Sequence, residues 1–270
     1  MEGIIYYNIG LKCIVRLAVS ILTLIKNVKK DITILSDSNG YSECEKIAKH
    51  FGVNIVNADF PSGQGKNYPL LNKCRINIVT PYERSIFLDS DTIILKDFSE
   101  VFDLIEPNEF VVTQMCKWES TGRRYRPRIA AWENKIHNET MLHAFDEKKA
   151  VNIGFYGFMK NAKIFNNWFS LAVKNRNSFI PDEISCQILL GHFKHLVIGS
   201  EYNTSCKHEV VTENTRTLHF HGRKHCRIEN GKYLYNSNLW YDEFDKLRGN
   251  DFIEENIKND RHLLRYIPDL

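Results

Sequence analysis

The sequence predicts an α/β fold in which a mostly parallel sheet is flanked by helices. Two observations carry this prediction. Over the first hundred residues, apolar runs of strand length alternate with segments whose apolar residues recur at helical spacing. Polar, turn-forming residues follow several of the predicted strands, as in sheets that bind nucleotides at the carboxyl ends of their strands. With 43% hydrophobic residues in 270, the chain can bury the core of one large domain.

The elements of this half follow one another in strand-helix order. The first strand is predicted at residues 4–7, and residues 12–26 carry apolar side chains at helical spacing. Further strands are predicted at residues 32–35, 53–56 and 85–88, with helices at residues 44–50 and 70–79 and a polar, glycine-bearing loop at residues 61–68. This order is typical of a Rossmann-like, nucleotide-binding half-sheet, which we place at residues 1–105.

Beyond residue 105 the pattern is more mixed, without repeats or a low-complexity linker. Strand-prone runs are predicted at residues 110–113, 153–159, 196–198 and 217–220. We therefore expect one continuous domain over residues 1–270, with a second half at residues 106–240 and a helical C-terminal tail at residues 241–270.

Charge and cysteine content exclude several classes of protein. The 36 Lys and Arg residues against 33 Asp and Glu residues leave a net charge of +3, which argues against nucleic-acid binding as the main function. Seven scattered cysteines without a Cys-x-x-Cys pair favour reduced thiols over a disulfide framework or a zinc site. No basic leader opens the sequence, and residues 11–25 are too short and too charged to span a membrane, so we expect a cytoplasmic protein.

The strongest chemical signal is an apolar strand that ends in Asp-x-Asp, at Asp89 and Asp91. In an extended chain, residues i and i+2 point to the same side, so both carboxylates can converge on one cation. Two neighbouring carboxylates at the end of a buried strand require something that neutralises them. The pattern therefore predicts a metal site for Mn²⁺ or Mg²⁺, whose preferred ligands are oxygen atoms.

At this point the sequence resembles the GT-A-fold glycosyltransferases, in particular the glycogenin-like nucleotide-diphospho-sugar transferases. Residues 87–95 and 98–102 are similar to the Asp-x-Asp region of that family, and residues 151–155 to its Asn-x-Gly strand. Pro181-Asp182-Glu183 stands where the family has Asp-Gln at the start of a helix, and residues 218–224 resemble its late segment of His, Gly and Lys. The matches keep the family's order along the chain.

The resemblance implies a glycosyltransferase that transfers a sugar, with retention of anomeric configuration, from a nucleotide-diphosphate sugar to an acceptor hydroxyl. The expected donor is a UDP-sugar, and the acceptor is a glycan, a protein or a small molecule. It implies that Asp89, Asp91 and His219 bind the metal, with His221 as an alternative ligand. It also implies donor contacts from Ser90, Gly222 and Lys224, although the Lys follows the Gly sooner than in the family, so Arg223 could share its role. The residues expected to act in catalysis are Asn152, Asp182 and Glu183.

Other candidates rest on position alone. Tyr7 and Asn8 end the first strand and Asp37 ends the second, where they could hold uracil and ribose or be ordinary turn residues. Lys73 or Arg75 could contact the donor or be a solvated charge. The basic, aromatic stretch at residues 117–128 could meet an anionic or glycan acceptor or be a surface loop.

Two other functions use the same residues. Asp89 and Asp91 followed by Thr92 also fit a haloacid-dehalogenase-like phosphatase, with Asp89 as nucleophile, but three strand-helix units precede the motif and no later acidic pair follows it. A nucleotidyltransferase would need a glycine-rich loop after the first strand, where only Gly10 is found. A catalytically inactive protein that still binds sugar nucleotides is the remaining alternative.

Overall fold

The computed structural model describes residues 1–60, 68–115, 150–177, 180–221, 227–260 and 263. Seven strands of these residues form a large, mostly parallel central sheet, with helices alongside it. The α/β fold predicted from the sequence is confirmed. Two compact units share the chain: unit 1 comprises Met1–Glu2, Phe60–Ile86 and Glu100–Ser200, and unit 2 comprises Gly3–Asp59, Phe87–Ser99 and Glu201–Leu270.

Unit 2 begins with the alternating elements that the sequence predicts. In chain order these are β1 (Glu2–Asn8), α1 (Ile14–Asn27), β2 (Asp31–Ser36), α2 (Tyr41–Phe51) and β3 (Asn54–Asn57). The strands are parallel and lie in the order β3-β2-β1, with Asn8 opposite Ser36 and Ser36 opposite Asn57. This register brings the carboxyl ends of all three strands to one edge, where polar residues follow them.

Unit 1 contains α3 (Tyr68–Leu71) and a 3₁₀ helix at Asn72–Ile78, and β4 (Arg84–Leu88) begins in unit 1 and ends in unit 2. The predicted helix at residues 70–79 is thus irregular, because Arg75 has a non-helical φ of −146°. Its guanidinium lies 4.3 Å from the ring centroid of Phe60 and 4.4 Å from that of Phe169, so tertiary packing overrides the helical spacing.

Unit 1 continues with α4 (Val101–Asn108), β6 (Phe110–Gln114), β7 (Val151–Met159), α5 (Ile164–Lys174), α6 (Pro181–Leu190) and β8 (Leu196–Ile198). β6 pairs antiparallel with β7 and parallel with β8. Its core is aromatic: the rings of Phe110, Tyr156, Phe158, Phe165 and Trp168 lie 5.0 to 6.1 Å apart.

A second, smaller sheet belongs to unit 2. It consists of β5 (Thr92–Ile94), β9 (Thr204–Ser205) and β10 (Thr217–His219), with β10 in the centre, antiparallel to β5 and parallel to β9. The chain then forms a short hairpin of β11 (Ile228–Glu229) and β12 (Lys232–Tyr233), followed by α7 (Ser237–Asp245) and α8 (Asp251–Ile257).

Helix α7 begins just before the predicted C-terminal tail, and α8 lies within it. Gly249, with a φ of 83°, stands between the two helices. Both helices contact α1. Among the described helices, none combines the length and the hydropathy that crossing a membrane requires.

Candidate functional site

Asp89, Asp91 and His219 come together in unit 2. The two acids stand between β4 and β5, and His219 is the last residue of β10, paired directly opposite Thr92. The His219 Nε2 atom lies 3.2 Å from an Asp91 carboxylate oxygen and 3.8 Å from one of Asp89. One ligand atom from each residue falls within 4.8 Å of the others. The main-chain N–H of Phe220 donates to the carbonyl of Asp91 at 2.9 Å, which fixes this register.

This group has the chemistry of a divalent-cation site. It offers two carboxylates that are one-fifth exposed and one imidazole that is almost fully buried. Two negative charges at such close range repel each other, and a divalent cation between them would neutralise both. Carboxylate oxygens with one imidazole suit Mn²⁺, and oxygen ligands alone suit Mg²⁺. The residues present therefore fit the predicted metal.

Two further side chains, those of Cys13 and Arg16, lie near residues 89–91, here called the metal-site loop. The hydroxyl of Ser90 hydrogen-bonds the thiol of Cys13, whose pKa is raised chiefly by burial. The guanidinium of Arg16 lies close enough to Asp91 to interact with its charge. Arg16 also forms a buried ion pair with Asp260, with 2.7 Å between Nε and Oδ2. Ser90 is thus placed at the metal site, but it contacts a thiol within the chain.

A second polar group of unit 2 forms at the ends of β1 and β2. One Asp37 carboxylate oxygen accepts from the main-chain N–H groups of Gly10 at 2.8 Å and Gly40 at 3.0 Å. The Asn8 amide donates to the carbonyl of Gly10 at 2.8 Å. Its Oδ1 atom is buried and has no hydrogen-bond partner among the described residues. Tyr7 lies half-buried beside Asn8 on β1.

Gly40 is required for this arrangement by space rather than by backbone conformation. A Cβ atom at position 40 would lie 2.7 Å from both Asn8 Nδ2 and the Gly10 carbonyl. Contacts this short force the neighbouring groups apart. The glycine therefore lets the two strand ends and the loop after β1 approach closely.

In unit 1, Asn152, Glu183 and Gln187 join β7 to α6. The Asn152 amide donates to a Glu183 carboxylate oxygen at 3.0 Å and accepts from the N–H of Gly154 at 2.9 Å. Gln187 Oε1 accepts from the N–H of Val151 at 2.9 Å. Glu183 is 8% exposed, and the Asn152 amide satisfies one of its buried carboxylate oxygens. Residues 152 and 183, both expected to act in catalysis, are therefore direct partners.

Asp182 is the most perturbed carboxyl of this group. It lies in the first turn of α6 with 4% of its surface exposed, and its Oδ1 atom has no hydrogen-bond partner among the described residues. Burial raises the pKa of Asp182 to about 6, the charge of Lys73 lowers it and that of Glu183 raises it. A buried carboxyl oxygen without a partner, as at Oδ1 here, is typical of a site that receives a polar ligand.

The two basic candidates differ in their surroundings. Lys73 lies close enough to Asp182 for its charge to act on that carboxyl, and its carbonyl accepts from the Tyr156 hydroxyl at 2.9 Å. Arg75 is held between the rings of Phe60 and Phe169. Of the two, Lys73 is therefore the one beside a candidate catalytic residue. Gly222, Arg223, Lys224 and residues 117–128 lie outside the described residues.

The raised pKa of Asp182 predicts how stability varies with pH. In the folded protein this carboxyl holds its proton up to about pH 6, whereas in the unfolded chain it releases the proton near pH 3.8. Its contribution to the free energy of unfolding is therefore full below pH 4 and is lost as pH rises through 6. The free energy of unfolding of Asp182→Asn, relative to that of wild type, should therefore rise by about 3 kcal/mol between pH 4 and pH 8. Urea denaturation at both pH values measures this gain. The exposed Asp242→Asn is the matched control, and equal pH profiles for Asp182→Asn and wild type would contradict the assignment.

Several residues of these groups were not predicted from the sequence. Gln187 stands one helical turn after Glu183, and Trp168, whose indole N–H donates to the Asp182 carbonyl at 2.7 Å, comes from α5, which was not predicted. Ser205 shares a hydrogen bond of 2.6 Å with the Nε2 atom of His221, the alternative metal ligand. The regular i to i+4 spacing from Glu183 to Gln187 is the signal that could have indicated that residue.

Comparison with known proteins identifies the family to which the sequence is similar. The model of the Rhodobacterales glycosyltransferase domain matches residues 25–187, which include Asp89, Asp91, Asn152 and the pair Asp182 and Glu183. His219 lies beyond the matched range. No curated protein matches the sequence significantly.

Solved structures of glycosyltransferases resemble the chain in fold. The galactosyltransferase LgtC, in complex with donor and acceptor sugar analogues, aligns with a TM-score of 0.66 and 10% identity over 95% of this chain and 100% of its own. The bifunctional glycosyltransferase WbbM (TM-score 0.63, 12% identity) and GlyE of Streptococcus pneumoniae TIGR4 (0.63, 12%) each align over 96% of this chain. The chain spans 52% of the WbbM chain and 64% of the GlyE chain.

The family match covers more than half of the chain, and the structural neighbours share the GT-A fold. The resemblance noted from the sequence is confirmed at the level of family and fold, and it favours a transferase over the phosphatase alternative. The chain belongs to the Rhodobacterales glycosyltransferase domain family and is a glycosyltransferase of the GT-A fold.

Proposed function

We propose that the chain transfers a sugar from a nucleotide diphosphate donor, a UDP-sugar, to an acceptor hydroxyl, with Mn²⁺ or Mg²⁺ bound by Asp89, Asp91 and His219. The observation that carries the proposal is the convergence of these three side chains in a glycosyltransferase. A divalent cation bound there supplies Lewis-acid stabilisation of the departing nucleoside diphosphate. The chain's own residues must then hold the nucleoside, the sugar and the acceptor.

The polar group at the ends of β1 and β2 supports nucleoside binding. Asn8 Oδ1 is an acceptor with no partner among the described residues, so it can receive an N–H of the base, such as N3–H of uracil. Because the amide nitrogen of Asn8 donates to the carbonyl of Gly10, the oxygen is the group of this side chain that is left to bind a ligand. Asp37 is anchored through one oxygen by two main-chain N–H groups, and its other oxygen can accept from a ribose hydroxyl.

The group formed by Asn152, Asp182 and Glu183 supports a role toward the sugar and the acceptor. Glu183 is oriented by the Asn152 amide, and Asp182 holds a proton up to about pH 6. We propose retention of anomeric configuration, in which the leaving phosphate assists deprotonation of the acceptor. If the reaction inverts the configuration, Asp182 or Glu183 is the candidate base for the acceptor hydroxyl. The anomeric configuration of the product, read by NMR, distinguishes the two.

Calorimetry tests the metal and the nucleotide together. UDP is titrated into the protein in Mn²⁺ and again in EDTA, and we expect at least about tenfold tighter binding with the metal, or 1.4 kcal/mol. GDP, whose larger base presents different hydrogen-bonding groups, is the control and should bind more weakly. Equal UDP affinity with and without metal would show that the proposed site is wrong. Slow hydrolysis of a panel of nucleotide sugars then identifies the donor.

A further inference from the structure

One face of α1 carries a row of polar residues, Ser20, Thr23 and Asn27, at positions i, i+3 and i+7. Ser20 and Thr23 are buried. Buried hydroxyls must find partners, because an unpaired one loses its hydration without any hydrogen bond in return. Their partners lie on β5, the strand that directly follows Asp91.

The row completes the hydrogen bonding of β5. The N–H of Ile94 donates to the Thr23 hydroxyl at 3.0 Å, and the Asn27 amide donates to the Ile94 carbonyl at 3.0 Å. The other edge of β5 pairs with β10. Side chains of α1 thus form the hydrogen bonds that a neighbouring strand would form with this edge of β5. These bonds fix the position of β5 along α1.

At the start of β5, the row reaches the metal-site loop through a chain of hydroxyls. The Tyr6 hydroxyl lies 2.8 Å from Ser20 Oγ, and Ser20 Oγ lies 3.0 Å from Thr92 Oγ1. Thr92 Oγ1 lies 2.8 Å from the carbonyl oxygen of Asp89. All three hydroxyl-bearing side chains are fully buried.

The direction of this chain follows from its end. A carbonyl can only accept, so the single proton of Thr92 points to Asp89, and Thr92 must accept from Ser20. Because the one proton of the Ser20 hydroxyl is used in this hydrogen bond, Ser20 must accept from the hydroxyl of Tyr6. Burial raises the pKa of the Tyr6 phenol, so this group keeps its proton and remains a donor. Each hydroxyl in the chain has one defined role.

We propose that Ser20 is a positioning residue of the metal site, which acts through Thr92 on the carbonyl of Asp89. This inference rests on the proposed function, since it assumes that the Asp89 loop binds a cation. The loop is held at both ends, by Thr92 at the Asp89 carbonyl and by Phe220 at the Asp91 carbonyl. Fixing both carbonyls keeps the two carboxylates turned toward His219.

The test compares two buried hydroxyls of the same row. Ser20→Ala is expected to weaken Mn²⁺ binding about threefold to tenfold, the effect of one net hydrogen bond. Thr23→Val, three residues along, removes a hydroxyl that serves Ile94 and is expected to bind Mn²⁺ as wild type does. The readout is the electron paramagnetic resonance signal of free Mn²⁺ without nucleotide, with the melting temperature of each variant measured alongside.

A third variant checks the direction of the chain. Tyr6→Phe removes the first donor of the chain but keeps the hydrogen bond that Ser20 donates to Thr92. It should therefore weaken Mn²⁺ binding less than Ser20→Ala does. Ser20→Thr keeps a hydroxyl and should restore binding. If Ser20→Ala does not fold, Ser20→Cys, similar in size and a weaker donor, takes its place.

The outcomes separate this inference from the proposed function. Wild type that binds no Mn²⁺ overturns the metal role and the inference together. Wild type that binds Mn²⁺ while Ser20→Ala binds it equally overturns the inference alone. An equal loss in Ser20→Ala and Thr23→Val would show a general effect of stability and would also overturn it.

Discussion

Asp91→Ala is expected to abolish metal-dependent hydrolysis of the sugar nucleotide and to weaken Mn²⁺ binding by at least about 100-fold. The side chain of Asp91 is the carboxylate nearest to His219, at 3.2 Å, and its removal leaves one carboxylate and one imidazole. Loss of a residue that only supports a metal ligand already costs about 10- to 100-fold in affinity, so loss of the ligand itself should cost more. Donor hydrolysis and Mn²⁺ titration of the same preparation measure both effects.

The matched control is Asp97→Asn, on the same segment. Asp97 is exposed, and one carboxylate oxygen accepts from the N–H and hydroxyl of Ser99, a role that the amide oxygen of asparagine can keep. This variant should hydrolyse the donor at the rate of wild type. Wild-type turnover in Asp91→Ala would overturn the assignment of the metal site.

Asp260→Ala is expected to lower the free energy of unfolding by about 3–5 kcal/mol, because it leaves a buried arginine without its counter-ion. Asp260 is 2% exposed and Arg16 is 9% exposed, and the pair joins α1 to the residues after α8. Arg16 then retains a hydrogen bond to the carbonyl of Lys12 at 2.9 Å and the charge interaction with Asp91, but it loses its direct ion pair. Urea denaturation measures the loss.

A double variant shows whether the loss comes from the unpaired charge. Arg16→Met with Asp260→Leu removes both charges and keeps apolar volume, so it should recover most of the stability. The exposed pair of Lys46 and Glu255 provides a comparison, since Glu255→Ala should cost less than about 1 kcal/mol. An equally small loss for Asp260→Ala would contradict the role given to the buried pair.

The strands and helices up to β3 could be predicted because each buries one face and therefore repeats its apolar residues at a fixed period. Helix α1 was predicted at residues 12–26 and runs over Ile14–Asn27. The segment at Asn72–Ile78 could not be predicted as a 3₁₀ helix, since the conformation of Arg75 depends on two rings distant in sequence. Local periodicity holds no information about such contacts.

The candidate site divides in the same way. Asp89 and Asp91 could be predicted because their spacing and the strand before them are local features. His219 required the resemblance to a family, since only the pairing of β10 with β5 brings it beside them. Ser20 gave no signal, and Thr92 was noted only as part of the Asp-x-Asp motif, because the partner of a buried hydroxyl cannot be predicted from local sequence.

The pairing of His219 with the loop of Asp89 and Asp91 also affects when this site can exist during synthesis. A cation bound by all three residues closes a loop of about half the chain, whose ordering costs conformational entropy that the ion must help to offset. The nascent chain can present two carboxylates first, but the imidazole leaves the ribosome only after the 128 residues from position 92 to position 219 have been made. An ion bound by all three residues would therefore act late, as a reversible crosslink between residues 89–91 and residue 219.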